Sequence, residues 1–219
     1  MDELLNKKIT VDQFNIMAPD YGKGLWGIYF RYSYKKAIKA VRQYIKSYSK
    51  ILDLGCGTGG LTIILFSLLG DEGEVIGIDV SPKMIDAANA FIENDAYRLE
   101  NKKIKFINGE AGKLLFPNNY FDLAFCLNSF HHHFDQRSVL NEVYRVLAPG
   151  GIFVLVDPFL DNPFRKFWGL FLKFLFHEPY VLYHTRNSLR ELFEQTKMTL
   201  LRQEKLLYFV LISVYKKNN

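Results

Sequence analysis

Five short apolar runs punctuate the chain: Lys50–Leu54, Val75–Asp79, Ile104–Asn108, Phe121–Leu127 and Ile152–Asp157. Each is too short for a helix that buries a face, and the first two are apolar without alternation, as strands covered on both sides are. Helical patterns separate most of them, at Gly59–Leu69, Pro82–Arg98 and Gln136–Leu147. Strand–helix–strand repetition with such strands predicts an α/β fold, a mostly parallel sheet with helices on both faces.

The two ends read differently. From Tyr34 to Tyr48 a helix is predicted, with Tyr34, Ile38, Val41, Ile45 and Tyr48 on one stripe and Lys35, Lys39, Arg42 and Lys46 on the next. Phe164–Phe176 reads as a second, strongly aromatic helix. Towards the C-terminus, Asn187–Gln195 reads as a short helix, followed by two antiparallel strands at Thr199–Leu207 and Phe209–Tyr215. Ser81-Pro82 places a capping hydroxyl before a first-turn proline. Pro149-Gly150-Gly151 is expected to end one helix and lead into the next strand. The layout is one domain: a helical cap over residues 1–49, a core over 50–157, an aromatic insertion over 158–186, and a helix with a strand pair over 187–219.

With 49% hydrophobic and 23% charged residues among 219, the chain is ordinary globular material, not a disordered or low-complexity one. Aromatics at 16% exceed what a core needs, so some are expected at a pocket or interface. A net charge of +5 is compatible with nucleic acid or a membrane surface and selects neither. Cys56 and Cys126 cannot build a disulfide framework and lack metal-ligand spacing, so a reducing cytoplasm is expected and no metal. Met1-Asp2-Glu3 does not open a secretory signal, and Leu61–Leu69 is far short of the ~20 residues a bilayer span needs.

The chemistry concentrates at Asp53-Leu54-Gly55-Cys56-Gly57-Thr58-Gly59-Gly60, after the first strand and opening a helix. Glycines there permit left-handed turns and close approach of a ligand to the backbone. The helix N-terminus favours an anionic group. Gly55, Gly57 and Gly60 satisfy G-x-G-x-x-G, and Asp79 ends the next strand where a carboxylate would accept both ribose hydroxyls. That pattern implies adenosine without saying which adenosine cofactor. Asp53 could hold a ligand ammonium through a bridge. Glu110 and Ala111, after the third strand, offer a carboxylate and an amide to an adenine edge. Asn128 and Ser129 close the fourth strand at the same sheet edge. An anion cradle, an ammonium partner, a ribose acceptor and an adenine reader suit an amino-acid nucleoside better than a pyrophosphate.

These residues, with Ile78–Met84, Tyr120–Leu123 and Val146–Gly151, resemble class I S-adenosylmethionine-dependent methyltransferases, the broad group that includes ubiquinone/menaquinone biosynthesis enzymes. The resemblance covers about residues 50 to 157 in the right order. It implies a Rossmann-like seven-stranded sheet ordered 3-2-1-4-5-7-6 with strand 7 antiparallel. It implies S-adenosyl-L-methionine as cofactor, its methionine part held by Gly55, Cys56, Gly57 and Gly59 with Asp53 and Asn128. The ribose would go to Asp79, and the adenine to Val80, Met84, Glu110 and Ala111. Phe14–Tyr21 is similar to the segment that forms the pocket floor in the quinone enzymes. Gly22 stands where they commonly carry an acid, and Ser129-Phe130-His131 where they carry an Arg-Asn pair.

The methyl of a sulfonium is electrophilic, so such an enzyme mainly aligns a nucleophile, which can supply about 7–11 kcal/mol of the barrier. A base is needed only if the acceptor must lose a proton. His131-His132-His133 lies beside the expected transfer point, where one imidazole could line the substrate or act as base; Asp157 could face the pocket or form a salt bridge. No catalytic residue is assigned. The aromatic insertion suggests a small hydrophobic acceptor, and with the basic stripe it leaves open peripheral membrane contact. Nucleic-acid methylation is disfavoured: Asn128-Ser129-Phe130-His131 stands in place of an N/D-P-P-Y/F tetrad. An NAD(P)-dependent reductase would want a convincing Tyr-x-x-x-Lys pair, and a non-catalytic S-adenosylmethionine-binding module would keep the same loop. Oligomeric state is not legible.

Overall fold

The computed structural model describes residues 3–94, 103–161, 167 and 181–218. Seven strands form one sheet: β1 (Lys50–Leu54), β2 (Glu74–Asp79), β3 (Lys103–Asn108), β4 (Phe121–Leu127), β5 (Leu147–Pro158), β6 (Met198–Leu207) and β7 (Val210–Lys217). Their order is β3-β2-β1-β4-β5-β7-β6. The first five run parallel, and β7 is antiparallel to both β5 and β6, as the resemblance implies.

Successive residues of the central strands point to opposite faces, and the two faces bury different helices. Leu52, Ile76, Ala124 and Cys126 pack with Val139, Leu140 and Val143 of α5 (Gln136–Val146) and with Leu189 and Phe193 of α6 (Arg186–Glu194). Ile51, Val75, Leu123 and Phe125 face the other way. They meet Ala37 and Val41 of α2 (Gly24–Val41) and Leu61 and Leu65 of α3 (Gly60–Ser67). Between β2 and β3, Ile85 and Ala88 of α4 (Pro82–Asn94) close over Phe106 and Cys56. Central strands buried on both sides explain the continuous apolar runs.

Local signals act as read. The Ser81 hydroxyl accepts from the Met84 amide at 3.2 Å, capping α4. Other boundaries shift. β5 begins at Leu147, not Ile152: Leu147 pairs with Phe121 and Ile152 with Leu123, so residues 148–151 bulge out of the ladder. Gly150 supplies the positive φ (76°) that this needs.

The predicted helix over Tyr34–Tyr48 is displaced. The helix spans Gly24–Val41, a 3-10 turn follows at Arg42–Tyr44, and Ile45 is extended. Ile45 is nevertheless buried, so its place in the apolar stripe reflected burial and not helical continuation. A helix without an apolar stripe precedes all of this, α1 (Glu3–Met17). The predicted helix over Phe164–Phe176 lies outside the described residues except Phe167, which is helical and exposed, and the end of the one over Pro82–Arg98 likewise. No described helix is long and apolar enough to cross a membrane.

Candidate active site

The C-terminal ends of β1, β2 and β4 meet at one crevice, and the chain there is tied together by its own backbone. After β1 the loop turns sharply at Gly55 (φ 68°), Gly57 (φ 54°) and Gly59 (φ 84°). The Gly55 and Cys56 amides both donate to the Ile78 carbonyl, at 2.8 and 3.0 Å. Asp79 then fastens loop to strand: one carboxylate oxygen accepts from the Gly57 amide and the other from the Ser81 amide, both at 2.9 Å. Its carbonyl accepts from the Gly109 amide and from the Asn108 side chain. Burial raises the Asp79 carboxyl, and the Ser81 and Gly57 amides oppose that rise.

Around this corner lies a cavity of about 250 Å³. Gly55, Gly57, Asp79, Val80, Met84, Glu110, Ala111 and Asn128 line it, so eight of the eleven residues expected at the cofactor converge. Three do not. Asp53 is buried beneath the loop, accepting a 2.6 Å bond from the Thr62 hydroxyl, so its carboxylate is turned towards α3. Burial drives its carboxyl up to about 7, against the Thr62 bond that lowers it, with neighbouring Asp79 adding to the rise. Cys56 is buried with its thiol towards the Gly57 carbonyl. Gly59 starts α3 against the ring of Phe106, where a Cβ would lie 2.5 Å from Cζ. Their part is to shape the loop rather than to face the cavity.

Glu110 lines the cavity and is ion-paired with Lys7 of α1. That helix was read from the sequence only as part of a helical cap over residues 1–49, and it forms a wall of the site through Asn6, Lys7, Thr10 and Phe14. Their spacing is helical but three of the four are polar, so a search for apolar periodicity passes over them. Phe14 and Tyr21 do line the cavity, in keeping with the pocket-floor segment. The Asn15 side chain accepts from the Ser81 hydroxyl at 2.7 Å, pinning the end of α1 to the start of α4. Tyr21 stacks on Phe30 of α2, and the Tyr29 hydroxyl donates to the Asn128 side-chain carbonyl. Asn128 itself has φ 56°, a conformation asparagine tolerates better than most residues.

The histidines divide. His131 is buried and hydrogen-bonded through Nδ1 to Asp157 at 2.8 Å, and Asp157 does not line the cavity around the glycine loop. Burial disfavours charge on both members, pulling the imidazole down to about 3 and pushing the carboxyl well above its usual range. His132 and His133 both line the cavity, so two of three consecutive imidazoles share one site. Burial lowers both, His133 to about 4, so neutral rings face the ligand space at physiological pH. Phe14 meets His132 edge-on at 5.0 Å. Among the described residues no group of three His, Cys, Asp or Glu side chains is placed to hold a metal ion.

Among the described residues, several buried polar atoms in these walls have no hydrogen-bond partner: Asn6 Oδ1, Asn128 Nδ2 and His133 Nε2. Buried polar groups are almost always satisfied, so these atoms have free hydrogen-bonding capacity at the cavity wall. Glycine loop, acidic strand end and sheet order together define a Rossmann-like ligand-binding domain. The chain belongs to the methyltransferase domain family, which matches residues 45–199. It is 33% identical over 154 residues to a demethylmenaquinone methyltransferase of Lactococcus lactis, covering 70% of this chain and 60% of that protein. A sterol 24-C-methyltransferase of Aspergillus fumigatus is 29% identical over 176 residues, 71% of this chain and 45% of that one. The chain thus spans about half the length of these curated relatives. Among solved structures, the Haloferax volcanii protein in complex with the Trm112 methyltransferase activator superposes with a TM-score of 0.78 at 19% identity, covering 95% of this chain and 97% of that one.

Proposed function

We propose that the chain is an S-adenosylmethionine-dependent methyltransferase acting on a small, apolar acceptor. The observation that carries the cofactor is the convergence of Gly57, Asp79, Glu110 and Asn128 on one cavity whose walls hold buried polar atoms awaiting partners. The residues suit the group. At Gly57, φ 54° and a Cβ position only 3.0 Å from the Tyr21 ring both favour glycine in the loop. Asp79 carries lone pairs beyond the two its amide bonds use, enough for vicinal hydroxyls. Val80 and Met84 supply apolar surface for a base, and Glu110 with the Ala111 amide faces its edge.

When bound, the sulfonium supplies the electrophilic methyl. The chain's own task is orientation and exclusion of water. Asn128, held by the Tyr29 hydroxyl, fixes the end of β4 at the transfer point. Phe14, Tyr21 and Phe134 give the acceptor side an apolar surface, while neutral His132 and His133 offer hydrogen bonds to an uncharged hydroxyl. The names of the relatives, a demethylmenaquinone and a sterol methyltransferase, favour the same apolar class.

Calorimetry with S-adenosylhomocysteine tests this reading, with micromolar affinity expected. Asp79→Ala removes a charge-assisted acceptor worth roughly 1.5–3 kcal/mol, so affinity should fall by about tenfold to a hundredfold. Heat from NADH and none from S-adenosylhomocysteine would instead establish a reductase.

A further inference from the structure

We infer that the outer face of α2 is a docking surface for an anionic lipid bilayer. Turned about the helix axis, Leu25, Ile28, Tyr32, Lys35, Lys36 and Lys39 fall on one side at i, i+3, i+4 spacing, opposite buried Gly27, Ser33, Ala37 and Val41. This face is exposed throughout, and its large apolar residues unusually so: Leu25 is 84% and Ile28 60% accessible. Ile16, in the last turn of α1, is 81% accessible, and residues 18–23 join α1 to α2. The N-terminal half of the face is therefore apolar and the C-terminal half cationic. Over its 18 residues the helix is about 27 Å long, enough to lie along a membrane surface with both halves in contact.

Charge along the chain is strongly asymmetric at this place. Between Tyr21 and Leu52 there are eight Lys and Arg and no Asp or Glu, while the whole chain carries only +5, so the remainder is net negative by three. Lys23 is taken by Asp20, which leaves Arg31, Lys35, Lys36, Lys39 and Arg42 as a solvent-facing cationic strip on or just after α2. A nucleic acid would use the strip but has no use for exposed Leu25 and Ile28 beside it. An anionic bilayer uses both, headgroups for the cations and the acyl boundary for the apolar end.

The flanks of the same helix reach residues of the cavity. The Tyr29 hydroxyl, one turn from Leu25 and Tyr32, holds Asn128, and Phe30 stacks on Tyr21, so neighbours of the docking face touch residues that line the ligand space. That proximity would deliver a lipid-soluble acceptor, a point that rests on the proposed activity; the docking itself does not.

Co-sedimentation with vesicles decides the matter. The protein should bind vesicles of equal phosphatidylcholine and phosphatidylglycerol and leave pure phosphatidylcholine vesicles unbound. At about 1 kcal/mol per cation near an anionic surface, Lys35→Gln, Lys36→Gln and Lys39→Gln together should weaken binding about a hundredfold. Leu25→Ser with Ile28→Ser should weaken it roughly tenfold or more while the charges stay. No sedimentation with the mixed vesicles overturns the proposal. So does wild-type vesicle binding by the Leu25/Ile28 variant together with salt-sensitive RNA binding that the lysine variant loses. S-adenosylhomocysteine affinity should be the same in all three proteins; vesicle binding without any such affinity would retain the surface and remove the methyltransferase reading.

Discussion

Gly55→Ala is expected to destabilise the protein by about 2–5 kcal/mol, the combined cost of a side chain in a left-handed conformation and of overpacking. Gly55 has φ 68°, and a Cβ there would lie 2.3 Å from the Ser129 hydroxyl oxygen and 2.5 Å from the Ser129 Cβ. Ser129 cannot easily withdraw, because its hydroxyl donates to the Leu54 carbonyl at 3.1 Å and approaches the Cys126 thiol. The two costs can be separated. Ser129→Gly removes both atoms that collide, so the double variant should regain the overpacking share, about 1–3 kcal/mol, and retain only the φ penalty. Chemical denaturation of the four proteins provides the cycle. A single variant as stable as the parent, or a double variant no better than the single, would show that the β1 and β4 loops are not in contact as described.

That contact also shows what the sequence could and could not disclose. The strands that build the crevice are buried on both faces, so their apolar runs mark them unambiguously, and β1 and β4 span the very residues expected. The glycines were legible for a related reason, since positive φ at Gly55, Gly57 and Gly59 leaves little choice of residue. Of the wall formed by α1 only Phe14 and the helical cap as a whole were legible, because the rest of its inner face meets a cavity instead of a core. Asn6, Lys7 and Thr10 line the cavity, Lys7 paired with Glu110, and no apolar stripe announces them. At α2 the error had the opposite origin. Its exposed face carries large apolar residues and its end runs into a buried but extended Ile45, so hydrophobicity parts from burial where the helix begins and from helicity where it ends. The direction of the Asp53 side chain, too, depended on Thr62 nine residues away, a tertiary choice with no local signal.

Asp53 is also a point at which the site costs the fold stability. Its carboxyl is buried with one hydroxyl partner and lies at about 7, against an ordinary value of 3.8. Because the folded value is the higher one, between pH 4 and 7 the native protein keeps a proton that the unfolded chain releases. Stability therefore falls as pH rises through that window, by about 1.4 kcal/mol per pH unit, and about 4 kcal/mol has gone once both states are ionised. Asp53→Asn preserves an acceptor for the Thr62 hydroxyl and abolishes the titration. The variant should match the parent near pH 4 and exceed its stability by up to about 4 kcal/mol at pH 8, as read from urea midpoints across the range. If the parent does not lose stability relative to the variant over that interval, Asp53 is not buried as a carboxylate beneath the glycine loop. A natural chain tolerates such a charge where ligand binding offsets it. S-adenosylhomocysteine affinity should accordingly drop in the stabilised variant, through the loop that Asp53 supports, even though its side chain does not line the cavity.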